Sequence, residues 1–188
     1  ARSLVQHAFE VVNRFGDLTY ASFARSNNLI AHLLASGESL AEVERTADSA
    51  IDFAVQARFG LVVDQVTPQR QLARTLRGLT PILGCFDDAG FDETRFEQHM
   101  EETSGCTLPR CWYWIRKLQA RVLAGDHAAA LIAAEKAQPL LWTSPSFFEQ
   151  AEYHFYAALA RAAAFDATVA EEQAFNVEDL ATHYRQLQ

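Results

Sequence analysis

A chain of 188 residues with 49% apolar and 21% charged residues has the make-up of one folded domain, not of a disordered segment. No run of about 18 uncharged apolar residues occurs, which excludes a membrane-spanning helix. Sixteen Lys and Arg against 24 Asp and Glu give a net charge of −8, so no broad basic footprint exists for nucleic acid or an anionic lipid surface.

Thirty-two alanines with only 8 Gly and 5 Pro favour helix over sheet. Helical periodicity starts at once, through Leu4, Ala8, Val11 and Val12, as expected of a segment taken from a longer chain. Gly16-Asp17 reads as a helix stop followed by an N-cap, and a second helix is predicted from about Leu18 to Ala35, with Phe23, Ile30 and Leu34 on one stripe. Gly37 ends it and Ser39 caps the next, where Leu40, Val43, Ala47, Ala50, Ile51 and Ala54 recur at helical steps up to Gly60. Leu61–Gly78 is predicted as one long helix kinked at Pro68.

Between residues 79 and 108 the pattern weakens into an irregular, solvated connector with a short helix from about Asp92 to Glu102. Helix resumes near Pro109, with Cys111, Ile115, Leu118 and Val122 on a shared face. Gly125-Asp126 closes it and caps another helix that runs to about Leu141. Ser144-Pro145 has the form of an N-cap with Pro at the first helical position. The helix behind it aligns Phe148, Ala151, Phe155, Leu159 and Ala162. A more polar last helix, predicted from about Val169 to Gln188, is a possible linker. Nothing alternates with period two, so the expected fold class is all-α in a single unit of 1–188.

The links recur. Gly37-Glu38, Gly125-Asp126 and Phe165-Asp166 each follow an Ala-rich helix, with Glu38 and Asp126 88 residues apart and Asp126 and Asp166 40 apart. A loose period near 42 with two helices per unit is the mark of an α-solenoid of about four antiparallel hairpins, each burying its apolar face on its neighbours. Trp114–Ala137 resembles a tetratricopeptide repeat. Trp114 stands for the early aromatic, Gly125-Asp126 for the turn, and Ala130 and Ala137 for the small residues of the second helix, with Leu131 and Lys136 in agreement. Lys117, Leu118 and Trp142 depart from the motif.

A wider resemblance rests on Gly16-Asp17-Leu18-Thr19-Tyr20-Ala21, on Ala57 through Asp64, on Leu76-Arg77-Gly78-Leu79-Thr80, on Cys111 through Ala120 and on Leu141 through Glu149. Together these stretches resemble the helical region of large bacterial signalling proteins. Such proteins join a serine/threonine-kinase-like domain, a STAND-type ATPase, this helical region, and GAF and histidine-kinase modules. The resemblance implies a regulatory helical array and no catalytic residue in this part of the chain.

Chemistry-bearing motifs are absent from the sequence. It has no Gly-Lys pair for a P-loop, no G-x-G-x-x-G, no G-x-S-x-G and no kinase H-R-D or D-F-G. No enzymatic activity, no cofactor and no metal are therefore expected. His99, Cys106 and Cys111 could supply three metal ligands, but a zinc site wants closer cysteines and a fourth ligand, so they read as buried or incidental thiols. His154 lacks the flanks of a phosphoacceptor and reads as a packed or surface imidazole. The acidic run Asp87, Asp88, Asp92, Glu93 and Glu97 lacks the ligand alternation of a calcium loop.

Trp112, Tyr113 and Trp114 are consecutive, and successive helical residues turn by about 100°, so at least one ring is expected near a surface or groove. With Arg116 and Lys117 behind them and Arg74 and Arg77 on another helix, Arg74, Arg77, Trp112, Tyr113, Arg116 and Lys117 form the expected partner-binding set. The alternative is that the rings wedge repeats apart and the cations only solvate. The sequence points to a non-catalytic, cytoplasmic interaction module whose partner is a protein or peptide, other domains of its parent chain included. A small-molecule or peptide effector sensor with a pocket in the superhelix is the other possibility.

Overall fold

A computed structural model describes residues 2–165 and 170–188. The elements are α1 (Arg2–Arg14), α2 (Leu18–Arg25), α3 (Asn27–Ser36), α4 (Leu40–Gln56), α5 (Gly60–Leu76), α6 (Glu93–Glu102), α7 (Thr107–Leu123), α8 (His127–Ala137), a 3-10 turn (Gln138–Thr143), α9 (Phe148–Ala164) and α10 (Ala170–Gln186). The described residues form no strand beyond a single bridge between Asp88 and Phe91. The expected all-α class is what the chain adopts. Asp166 and Val169, where a junction and the last helix were expected, lie outside the described residues.

Short polar side chains set the helix starts. Asp17 accepts from the Tyr20 N–H at 3.1 Å, Ser39 from Glu42 at 3.3 Å, Asp92 from Arg95 at 2.9 Å and Asp126 from Ala129 at 3.1 Å, each satisfying a donor that the first turn leaves unpaired. The predicted helix Leu18–Ala35 is two helices, because the chain breaks at Ser26. There the Ser26 hydroxyl donates to the Ser22 carbonyl at 2.6 Å, sharing that acceptor with its own N–H at 2.9 Å. Pro68 lies inside one continuous α5, as expected. Gly60 opens that helix and does not close α4, which has already ended at Gln56.

Ser144-Pro145 does not start α9. Ser144 is fully buried and accepts from Trp112 Nε1 at 3.1 Å, and the helix begins at Phe148. The segment from 79 to 92 is also less solvated than its acidic residues suggest. Phe86 is fully buried and Gln71 Nε2 donates to its carbonyl at 2.7 Å. Gly84 has φ +84, and a Cβ there would sit 2.9 Å from the Ala124 Cβ, so only glycine lets this loop lie against α7.

Two apolar clusters hold the helices. Ile30, Leu33, Val43, Ala47, Ala50, Ala54, Val62 and Val66 join α3, α4 and α5. The larger cluster centres on α7, with Trp112, Tyr113, Ile115 and Leu118 packed against residues of α5, α8 and α9. Leu34 of α3 touches both clusters. On α8 the buried positions are Ala130, Ala133, Ala134 and Ala137, and Lys136 Nζ lies 4.0 Å over the Trp114 ring.

Candidate functional site

The six residues expected to line a partner groove lie mostly inside the molecule. Trp112, Tyr113 and Arg116 are 1% exposed or less, and Lys117 is 5% exposed. Trp114, the third ring of the run, is buried as well. None of the three rings reaches the open surface, because α7 is covered by α5, α6, α8 and α9 in turn and such a helix is buried all round. The expectation of a ring near a surface or groove is met only by Trp112, which lines a hollow.

What these residues build is a polar skeleton between helices. Arg116 donates to Glu152 at 2.6 Å, to Glu149 at 3.1 Å and to Gln119 at 3.0 Å, tying α7 to α9. Burial raises the Glu149 carboxyl above its usual range, while Arg116 pulls it back. Lys117 pairs with Glu93 and donates to the Gly84 carbonyl at 3.2 Å. The Tyr113 hydroxyl donates to Glu97 at 2.6 Å. Burial and the nearby carboxylates keep that phenol protonated. Arg74 and Arg77 keep partial exposure, but both pair with Glu44 of α4, and Arg74 also bonds Asp88 at 2.8 Å. Burial pushes the Asp88 carboxyl up, yet the Gln71 side chain, the Gly90 N–H and Arg74 together hold it below its usual value. The six form no shared open groove.

His154 is a packed imidazole. Its Nδ1 lies 3.0 Å from Nδ1 of His183 on α10, so one ring donates and the other accepts. Tyr153 stacks edge-on against both rings, and the Arg161–Asp179 pair crosses beside them at 3.1 Å. Burial lowers the pKa of both imidazoles, and for His183 the neighbouring His154 and Arg161 bring it down to about 4. The unfolded imidazole titrates near its ordinary value of about 6.5, so between about pH 4 and 6.5 the unfolded chain binds more protons. Stability is therefore fully present above pH 6.5 and falls with pH down to about 4. A loss of about 1–2 kcal/mol between pH 7 and 5 is expected in urea melts. His183→Asn should flatten that part of the slope, and an unchanged slope would contradict this account.

The aligned apolar row on α9 faces outward. Phe148 and Phe155 are each 49% exposed and Leu159 is 41% exposed, while Ala151 and Ala162 are exposed beside them. The buried face carries Glu149, Glu152, Tyr153, Ala157 and Ala160. Phe148 and Phe155 wall a hollow of about 350 Å³ whose other sides are Leu34 and Ala35 of α3, Gln119 of α7 and Leu187 at the C-terminal end. Next to it, Phe147, Phe148 and Trp112 face Ala31 and Ala35 around a further hollow of about 250 Å³. Both open to solvent, and together they form a trough along α9 whose polar lining residues Glu149 and Glu152 are paired with Arg116.

His99 and Cys106 come together, as the metal alternative required, but Cys111 does not join them. It is fully buried beside Thr143 and Ser144. The third donor near His99 and Cys106 is Asp64 of α5. Sequence reasoning missed Asp64 and also His183, because each is separated from its partners by 29 or more residues. The outward row on α9 was visible as a stripe, without a sign of which side it faces. Among the described residues no helix is long and apolar enough to cross a membrane, and the three cysteines are free thiols. The chain matches no protein-family model, no curated protein and no solved structure.

Proposed function

We propose that the chain is a non-catalytic interaction module that docks an apolar helical segment of another protein domain in the trough along α9. The observation that carries this is the row Phe148, Phe155 and Leu159, three large apolar side chains held exposed on a helix whose other face is fixed by a buried ion cluster. Isolated exposed apolar residues are ordinary, but a contiguous row beside an open trough is the geometry that accepts an amphipathic helix at i, i+3, i+4 and i+7 spacing. The helical pairs α4–α5 and α7–α8, each joined by a short link, and the packing of α10 on α9 support an α-solenoid of tetratricopeptide-like hairpins as the scaffold. The quoted resemblance to bacterial signalling proteins makes other domains of the parent chain the partners, in the cytoplasm. An effector-sensing pocket is the weaker reading, since the trough is open along its length and a small-molecule site buries most of its ligand.

Two measurements test the proposal. The gene on either side of this segment should encode kinase-like, STAND ATPase, GAF or histidine-kinase modules, and flanks of another kind would remove the signalling context. The adjoining domain, titrated calorimetrically, should bind the wild-type chain and bind Phe155→Asp at least about tenfold more weakly. Because Phe155 is half exposed, the substitution should leave stability within about 0.5 kcal/mol. Equal binding by both chains would overturn the docking site.

A further inference from the structure

We propose that Asp64, His99 and Cys106 form a binding site for one divalent transition-metal ion of the zinc class. Each donor comes from a different element. Asp64 lies in the second turn of α5, His99 in the last turn of α6, and Cys106 at the N-cap of α7. His99 Nε2 lies 3.2 and 3.1 Å from the two carboxylate oxygens of Asp64, and Cys106 Sγ lies 3.5 Å from Oδ2. All three donor atoms fall within 4.8 Å of one another. Donors around a tetrahedral zinc at about 2.0–2.3 Å are separated by roughly 3.3–3.8 Å, so the cluster needs only small adjustments to close on an ion.

The surroundings favour a cation. Asp64 and Cys106 are 8% and 3% exposed, whereas the His99 side chain is 47% exposed and gives the ion a way in. Among the described residues the only ion-pair neighbour of the Asp64 carboxylate is His99, so this buried anion lacks the Arg or Lys that every other buried carboxylate pair of the skeleton has. His99 Nδ1 lies 3.2 Å from Thr103 Oγ1, a contact that fixes the ring with Nε2 toward Asp64, as outer partners of metal-bound imidazoles do. One imidazole, one carboxylate and one thiolate are a mixed donor set suited to zinc-class ions and poorly suited to calcium or magnesium. In front of the donors is a hollow of about 570 Å³ lined by Val55, Phe59 and Leu61 and by Arg58, which leaves a fourth position for water or an anionic ligand atom. On binding, the Cys106 S–H bond breaks, its proton goes to solvent, and the sulfur lone pair forms the metal–sulfur bond.

Cobalt(II) is the probe, because a thiolate–cobalt bond absorbs in the near ultraviolet and tetrahedral cobalt absorbs strongly in the visible. The purified chain, dialysed against a chelator, should develop both features and saturate at one equivalent, and zinc should bleach them. Cys106→Ser should abolish the thiolate band, and His99→Ala, at an exposed ring, should weaken affinity by more than about tenfold. Cys85→Ser is the control, since Cys85, Asp87 and Glu93 form the other donor cluster among the described residues, and it should leave the spectrum unchanged. Absence of the band together with no zinc binding by calorimetry would overturn the proposal. So would a band that survives Cys106→Ser and disappears in Cys85→Ser.

Discussion

Replacing Arg116 by Ala should lower the unfolding free energy by about 3–5 kcal/mol, the largest effect of any single substitution considered. The guanidinium is fully buried and holds Glu149 and Glu152, themselves 2% and 8% exposed at the side chain, against α7. Removing it leaves two carboxylates facing each other without a countercharge, and burial already raises Glu149. Gln119 loses a donor as well, though its amide still reaches the Tyr156 hydroxyl at 3.0 Å. Most of the expected loss is the cost of the stranded anions, not the worth of the salt bridge. The triple variant Arg116→Met, Glu149→Gln, Glu152→Gln should therefore recover a large part of it. Guanidinium melts of the two variants decide the matter. A loss below about 1 kcal/mol for Arg116→Ala would mean that water reaches this cluster and that α7 is not the central helix.

Ala137→Leu should cost about 1–3 kcal/mol by overpacking, and Ala128→Leu should be nearly neutral. Ala130 and Ala137 are fully buried, and seven residues turn a helix by about 700°, so the two share a face. Ala133 and Ala134 widen that face to four buried methyls, which lets α8 lie close to both α7 and α9. Leucine at 137 would push the helices apart or force a strained rotamer. Ala128 points about 180° away from Ala137 on the helical wheel and is exposed. Denaturant midpoints for the two leucine variants provide the check, and equal losses would show that α8 presents a different face to the core.

The residues that could be read correctly from sequence are those on helices with one wet side. Val43, Ala47, Ala50 and Ala54 of α4 are buried as their spacing requires, and Leu40 and Ile51 flank them. On α7 the same rule fails, since a helix with neighbours on every side has no polar face to reveal its orientation. Its buried Arg116 and Lys117 look like solvated cations until their partners, 24 to 36 residues away, are known. On α9 the aligned row Phe148, Phe155 and Leu159 gave no sign of its side and stays exposed, because close helix contact is made by Ala157 and Ala160, while Glu149 and Glu152 are buried where Arg116 pairs with both. Asp64, His99 and Cys106 meet only because α5, α6 and the start of α7 converge. Their separations of 35 and 42 residues carry no local pattern.

Site-specific photocrosslinking in the protein as its gene encodes it tests the docking face most directly. A photoreactive phenylalanine analogue at position 155 keeps the size and exposure of the native ring, and one at Ala128, exposed on α8, serves as the reference. The account predicts one dominant crosslink from position 155, mapped by mass spectrometry to an apolar helical segment of another domain, suppressed when Leu159 is replaced by Asp and absent from position 128. Crosslinks from 155 that are no stronger or more specific than those from 128 would show that the α9 row is bare surface, and the interaction reading would fall with it.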